Sequence, residues 1–188
     1  MMEDEIKKVV EVLNLGGTIL YPTDTIWGIG CDATNAKAVN KVFDLKGRGQ
    51  RKSPIILVGS VETLLQYVND FPEVALDFIE SIKDPITIIY QGARNLAKHV
   101  AAEDNTIAIR IPQDEFCQKL LKAFGKALIS TSANLEGDPV PISFSKISNE
   151  IINGVDYVVV ANRNRINRPK PSTIVCITQN GEIKVLRN

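Results

Sequence analysis

The sequence predicts an α/β fold: a single domain with a twisted, mixed parallel and antiparallel sheet flanked by helices. Segments in which apolar residues recur with helical spacing alternate with short β-branched runs, which is the order of such a fold. Two further runs flank Asn180-Gly181, a strong hairpin signal, so the sheet includes an antiparallel pair. The 188 residues show no internal repeat, low-complexity tract or interdomain linker. We therefore expect one domain over residues 1–188, with one sizeable core.

The first half of the chain alternates helical and strand patterns. Ile6, Val9 and Leu13 lie on one face of a helix predicted over 3–15, and Gly16-Gly17 provides its C-cap. The elements predicted after it are a strand at 18–21, a strand at 26–31, a helix at 35–46, a strand at 54–58, helices at 61–68 and 73–82, and a strand at 86–90.

The second half begins with a strand predicted at 106–111, where Ile107, Ile109 and Ile111 alternate with other residues. A helix predicted over 114–124 ends at Gly125. The elements predicted after it are a strand at 127–129, a loop at 134–142, a short helix at 147–152, a strand at 155–160, a basic loop at 161–172, and a hairpin formed by 173–177 and 182–186.

Composition excludes several classes of protein. Lys and Arg number 22, as do Asp and Glu, so the net charge is zero and bulk attraction to nucleic acid is not expected. No apolar run reaches the ~18 residues of a membrane span, and the acidic N-terminus does not resemble a secretory signal. We therefore expect a cytoplasmic protein. Cys31, Cys117 and Cys176 form no disulfide or CxxC pattern, and their apolar contexts favour buried filler over reactive nucleophiles.

The residues from Gly28 to Ala33 match GxGxxA, a pattern of dinucleotide-binding folds. That site requires a strand, a tight glycine turn and a helix, with an acid about 20 residues on. Here the segment reads as a strand, and Arg48 stands at the acid's position. The favoured interpretation is that the two glycines let another chain segment or a ligand approach the sheet.

Eight of the 22 cations lie in two windows that contain no acid, residues 45–61 and 157–181. A solvated face usually mixes both signs, so two unmixed runs beside predicted strands favour an anion site. Gly47 and Gly49 in the first window allow backbone N–H groups to point at phosphate oxygens.

Hydroxyl-rich segments follow two predicted strands. Ser130-Thr131-Ser132-Ala133-Asn134 could hold phosphate or ribose oxygens, or form only an ST-turn and a helix cap; the turn at 22–25 is similar. No GxxxxGK[ST] motif is present, so the chain is not a P-loop protein. His99 is the single histidine and has no identifiable partner for a catalytic triad.

Five segments form a pattern along the chain. They are Tyr-Pro-Thr-Asp-Thr with Trp-Gly-Ile-Gly-Cys-Asp-Ala (21–33), Lys46-Gly47-Arg48 with Lys52-Ser53-Pro54, Ala108-Ile109-Arg110-Ile111-Pro112, the segment 130–134, and Pro171-Ser172-Thr173-Ile174-Val175. Together they resemble the motifs of the YrdC-type L-threonylcarbamoyladenylate synthases, over roughly residues 5–187. Each motif alone is weak, but five in register are specific, and the length resembles the short, single-domain branch.

The resemblance implies a YrdC-like fold with a concave basic cavity and a nucleotidyltransferase activity. L-Threonine, bicarbonate or CO₂, and ATP with Mg²⁺ would give threonylcarbamoyl-AMP and pyrophosphate. A second enzyme would transfer the threonylcarbamoyl group to adenosine 37 of tRNA, giving N6-threonylcarbamoyladenosine. It further implies contact with that transfer machinery and with tRNA or double-stranded RNA as partners, and no membrane partner is expected.

The resemblance also supplies site residues. Lys46, Arg48 and Lys52 are expected to be catalytic, neutralising the triphosphate. Thr23, Thr25, Arg110 and Thr131 are expected to bind threonine. No metal ligand is assigned. The nucleotide is expected to contact Lys46, Arg48, Ser53, Ser130, Ser132, Asn134, Ser172 and Thr173.

One segment departs from the family pattern. Many members carry Trp-Pro-Gly-Pro-(Leu/Val)-Thr before the central strand, whereas residues 82–87 keep only Pro85 and Thr87. This leaves open a paralogue with another acceptor. A separate alternative is an RNA-binding module for double-stranded RNA or tRNA, which would use the same concave basic surface without catalysis.

Overall fold

One nine-stranded sheet organises the part of the chain that the computed structural model describes, residues 2–47, 53–164, 171–178 and 180–187. Its order is β7-β1-β2-β6-β3-β5-β4-β8-β9. Three neighbouring pairs are parallel and five are antiparallel, which confirms the mixed sheet. The strands are β1 (Ile19–Tyr21), β2 (Gly28–Gly30), β3 (Ile55–Leu57), β4 (Ile86–Tyr90), β5 (Ile107–Arg110), β6 (Leu128–Ser132), β7 (Tyr157–Val158), β8 (Thr173–Ile177) and β9 (Ile183–Arg187).

Polar residues that cap the backbone set where the helices start. Asn35 accepts hydrogen bonds from the N–H groups of Lys37 and Ala38, and Asp114 accepts one from Cys117. Gly125 ends a helix in the left-handed conformation, with φ of 72°. The helices are α1 (Met2–Asn14), α2 (Ala36–Leu45), α3 (Val61–Leu64), α4 (Val74–Ser81), α5 (Glu115–Phe124) and α6 (Asn149–Gly154), with a 3₁₀ helix at Phe144–Lys146.

Apolar side chains fill both faces of the sheet. Helices α1 and α5 pack in one cluster with Ile19 and Tyr21 of β1. Leu20, between them, belongs to a second cluster that contains α2 and α6. Because successive strand residues point to opposite faces, the two clusters lie on opposite sides of the sheet.

The structure differs from the sequence prediction at β6 and β7. Strand β6 continues through Ser132, where a turn was one open alternative, because Ser132 and Thr131 pair with Gly28 and Ile29 of β2. Strand β7 contains only Tyr157 and Val158 of the strand predicted at 155–160. The hairpin of β8 and β9 is confirmed.

Gly30 of β2 allows a close approach within the sheet. A Cβ atom at Gly30 would lie 2.6 Å from the Ile129 carbonyl oxygen and 2.8 Å from the ring of Tyr21. This confirms, for Gly30, the interpretation that a glycine lets another chain segment approach, whereas a Cβ atom at Gly28 would lie 3.4 Å from its nearest neighbours, an ordinary contact. Both glycines lie within a strand antiparallel to β1 and not in the turn between a strand and a helix, so the segment is no dinucleotide fingerprint.

Candidate active site

A cavity of about 320 Å³ opens beside β6, between the β1–β2 connection and the start of β8. Its volume falls in the usual range of small-molecule sites. The predicted site residues that line it are Thr23, Thr25, Ser53, Arg110, Ser130, Thr131, Ser132 and Ser172. They come from all five motifs, so the fold brings together side chains far apart in the chain.

Thr23 and Thr25 are held in place by a local hydrogen-bond network. The Thr23 hydroxyl donates to the Ile26 carbonyl over 2.6 Å and lies 3.1 Å from the Thr25 hydroxyl. The N–H groups of Thr25 and Ile26 both donate back to Thr23. The hydroxyls therefore have fixed positions at the cavity wall.

Arg110 is buried at the end of β5, with 5% of its surface exposed. Its Nη1 donates to the Thr25 hydroxyl over 3.2 Å, and its Nη2 lies 3.3 Å from Asp24 Oδ1. The Nε atom is buried and has no hydrogen-bond partner among the described residues. This fork therefore retains donor capacity for a carboxylate or phosphate.

Arg187, at the end of β9, is a second arginine at the cavity. Its Nε and Nη2 donate to the Ser172 carbonyl over 3.2 and 2.9 Å, and it forms no salt bridge with any described residue. Burial and the positive charge of Arg110 lower the pKa of Arg187. Two guanidinium groups near one another favour binding of an anion.

Lys46 lies behind β6 and does not line the cavity. Its ammonium group donates to the carbonyls of Ser132 and Asn134, with side-chain oxygens of the same two residues at 3.4 and 3.2 Å. Asn134 in turn donates to the Asp138 carbonyl. Both residues hold the 130–134 segment together, and Lys46 contributes positive charge immediately behind Ser132.

Of the other cations in the two basic windows, Arg163 alone lies within the described residues. Arg48 and Lys52 lie outside the described residues, as do 165–170 of the second basic window. Arg163, inside that window, stacks on Phe144 at 4.6 Å and donates to the carbonyls of Val158 and Val159. It holds its own loop against the protein. The basic character of the cavity stays a prediction.

The chain is similar in sequence to proteins of one known family. Residues 11–188 match the Sua5–YciO–YrdC family, described as telomere recombination. The chain belongs to this family. A Vibrio parahaemolyticus relative named threonylcarbamoyl-AMP synthase is 33% identical over 174 residues, covering 91% of this chain and 93% of the relative.

Solved structures of this family have the same fold. P. abyssi Sua5 complexed with L-threonine matches 97% of this chain with a TM-score of 0.87 at 24% identity, and the chain spans about half of that protein (53%). E. coli YciO matches all of this chain and 89% of its own length, with a TM-score of 0.84 at 23% identity. Both likenesses concern the fold alone.

Several other residues of this Sua5–YciO–YrdC chain have structural roles. Cys31 and Cys117 are fully buried, and burial raises the pKa of both thiols, which confirms that they pack in the core. Cys176, also predicted to be buried, is only partly buried. Thr173 begins β8 and does not line the cavity; its N–H donates to the Pro85 carbonyl. Among the residues described, no helix is both long and apolar enough to cross a bilayer.

Sequence reasoning missed Arg187 and the pairing of Asp24 with Arg110. A hairpin about Asn180-Gly181 folds residue 187 back toward residue 174, so the turn signal could have placed Arg187 beside the Pro171–Val175 motif. Asp24 stands between two threonines of a recognised motif. Its pairing with a distant arginine has no signal in a single sequence.

Proposed function

We propose that this chain is a threonylcarbamoyl-AMP synthase, a nucleotidyltransferase acting on L-threonine, bicarbonate or CO₂, and ATP. The observation that carries the proposal is one cavity lined by residues of all five motifs, with two arginines and a row of hydroxyls. A curated relative 33% identical over 91% of this chain carries that name.

The chemistry needs positioning and charge neutralisation, with no covalent enzyme intermediate. The threonine amine combines with CO₂ to form a carbamate, releasing one proton. A carbamate oxygen attacks the α-phosphorus of ATP, the bond from that phosphorus to the bridging oxygen breaks, and pyrophosphate leaves. Donors fixed in the cavity stabilise the charge that develops on the phosphoryl oxygens.

The residues divide between the two substrates. Arg110, held by Thr25 and Asp24, receives the threonine carboxylate through the N–H groups of its fork that these two residues leave unused. Thr23 and Thr131 complete the threonine side. The nucleotide phosphates contact Ser53, Ser130, Ser132, Ser172 and Arg187, with Lys46, Arg48 and Lys52 adding positive charge.

Mg²⁺ fits this chemistry as an ion that binds together with ATP. The described residues include no group of three His, Cys, Asp or Glu side chains suited to a metal ion. Mg²⁺ commonly binds through substrate phosphates and water with few protein ligands. The phosphates of ATP would then hold the ion, which neutralises the leaving pyrophosphate.

The deciding experiment measures pyrophosphate release with ATP, Mg²⁺, bicarbonate and each amino acid in turn. Release that depends on both threonine and bicarbonate is expected. Release with a different amino acid would identify a paralogue with another acceptor. Release with none, together with RNA binding that weakens steeply as salt rises, would instead identify an RNA-binding module.

The proposed product defines the partners. An enzyme that transfers the threonylcarbamoyl group to tRNA must consume the product, in the cytoplasm where tRNA is modified. Binding of tRNA by this chain itself is a separate question. Retention of labelled tRNA at physiological salt, with and without the transferase, would test it.

A further inference from the structure

A buried pair of hydroxyls lies at the back of the cavity. The Oγ1 atom of Thr87, on β4, and the Oγ atom of Ser172 are 2.7 Å apart. Thr87 is 0% exposed and Ser172 is 2% exposed. Thr87 pairs with Ile174 across β4 and β8, and because paired strand residues share a face, Thr87 points to the side on which Ile174 lines the cavity.

The donor of this hydrogen bond is the hydroxyl whose hydrogen would otherwise have no acceptor. Among the described residues, Ser172 is the single partner of the Thr87 hydroxyl. If Ser172 donated to Thr87, the Thr87 hydrogen would be buried without an acceptor, at a cost in free energy. If Thr87 donates, both groups are satisfied, because Ser172 lines the cavity and its hydrogen can meet a ligand there.

The position of Arg187 also favours donation from the Thr87 hydroxyl to the Ser172 hydroxyl. Its Nη2 lies 3.5 Å from Ser172 Oγ and 2.9 Å from the Ser172 carbonyl oxygen, so N–H donors already face the lone pairs of Ser172. A hydroxyl oxygen that accepts from its surroundings presents its own hydrogen outward. Beside a guanidinium group, an outward donor suits a negatively charged oxygen.

We propose that Thr87 is a positioning residue that makes Ser172 a hydrogen-bond donor to a phosphate oxygen of the bound nucleotide. This rests on the proposed function, since it names ATP as the ligand. It also gives a reason why residues 82–87 keep Pro85 and Thr87 of the family pattern. Pro85 accepts from Thr173 N–H and Thr87 contacts Ser172, so both retained residues touch the Pro171–Val175 motif, as does Ile86 between them, which pairs with Thr173.

The test compares Thr87→Val with Thr87→Ser. Valine keeps the shape and removes the hydroxyl, whereas serine keeps the hydroxyl. Thr87→Val should raise the KM for ATP about 3- to 10-fold, the size of one hydrogen bond, and leave the KM for threonine within about 2-fold. Thr87→Ser should stay within about 2-fold of the parent for both substrates.

A double-mutant cycle separates positioning from general packing. In a Ser172→Ala background, Thr87→Val should add less than about 2-fold, because its effect passes through Ser172. Additive effects, equal changes in both KM values, or an unchanged KM for ATP in Thr87→Val would overturn the proposal. Thr87→Ala serves as a second loss variant if Thr87→Val does not fold.

A direct measurement of nucleotide binding tests the role of Thr87 separately from the synthase activity. Calorimetric titration with a non-hydrolysable ATP analogue, without threonine, should show the same 3- to 10-fold loss for Thr87→Val. If the parent releases no pyrophosphate yet shows this loss, the synthase proposal fails and the role of Thr87 stands. If the parent does not bind the analogue, the role of Thr87 is refuted.

Discussion

At the scale of single residues, the two arginines of the cavity differ in what they are paired with. Arg110 is buried beside Asp24, whose side chain is 10% exposed. Arg187 donates only to neutral groups of Ser172 among the residues described. Arg110 thus compensates a buried charge, whereas Arg187 is repelled by Arg110. Binding an anion relieves that repulsion without breaking an ion pair.

Substitution of each arginine by glutamine should therefore have different effects on stability. Arg110→Gln leaves the Asp24 carboxylate without its counter-ion and should lower the free energy of unfolding by about 3–5 kcal/mol. Arg187→Gln should lower it by no more than about 1 kcal/mol. Urea unfolding of both variants checks this.

The double variant Asp24→Asn with Arg110→Gln is the control for this pair. It should recover part of the loss, because no unpaired carboxylate remains. Equal destabilisation by the two arginine substitutions would contradict the distinction between them.

At the scale of secondary-structure elements, the residue that caps α5 has a carboxyl group whose charged form is disfavoured by burial. Asp114 Oδ1 accepts from Cys117 N–H over 2.9 Å, while Oδ2 is buried without a partner among the described residues. Burial raises the pKa of Asp114, and the nearby charge of Asp24 adds to the effect. The cap therefore costs stability once the carboxyl ionises.

Asp114→Asn should become more favourable relative to the parent as pH rises. Asparagine also caps helices well, so the cap is kept. Above the ordinary pKa of 3.8, the unfolded parent loses its proton before the folded parent does. The parent therefore loses stability with rising pH until its raised folded pKa is passed, and the variant does not.

Denaturant unfolding at a series of pH values measures this difference, and Asp104→Asn is the matched control. Hydrogen bonds from Thr106 lower the pKa of Asp104. The sign is then reversed: Asp104 contributes stability above 3.8 that is lost as pH falls, so its asparagine variant should fare worse as pH rises. A difference for Asp114→Asn that is constant with pH would contradict the prediction.

Elements whose patterns are local could be predicted from the sequence, and contacts set by the tertiary structure could not. The apolar spacing of α1 and the Gly125 cap of α5 are properties of short segments, and both are observed. The length of β6 depends on pairing with β2. The ammonium site of Lys46 likewise uses carbonyls 86 and 88 residues away. The motifs predicted eight of the side chains that line the cavity, but they also included Lys46 and Thr173, which do not line it, and they did not include Arg187, which does.

At the scale of the whole molecule, equal numbers of acids and bases coexist with a site built from arginines and hydroxyls. The residues that line the cavity come from both sides of β6 in the sheet: the β1–β2 connection on one side, and β5, β8 and β9 on the other. A bound ligand that touches both sides links strands that are distant in the sheet. Binding should then stabilise the two sides together.

Hydrogen exchange with substrates tests this linkage. Threonine alone should slow exchange around residues 22–27, and a non-hydrolysable ATP analogue alone around 171–174 and the end of β9. Both together should protect both regions, while α1, which lines no part of the cavity, stays unchanged. At about 100 times its Kd a ligand adds about 2.7 kcal/mol, so the Tm should rise by roughly 5–11 °C. Protection confined to one side with both ligands present would show that the cavity does not act as one site.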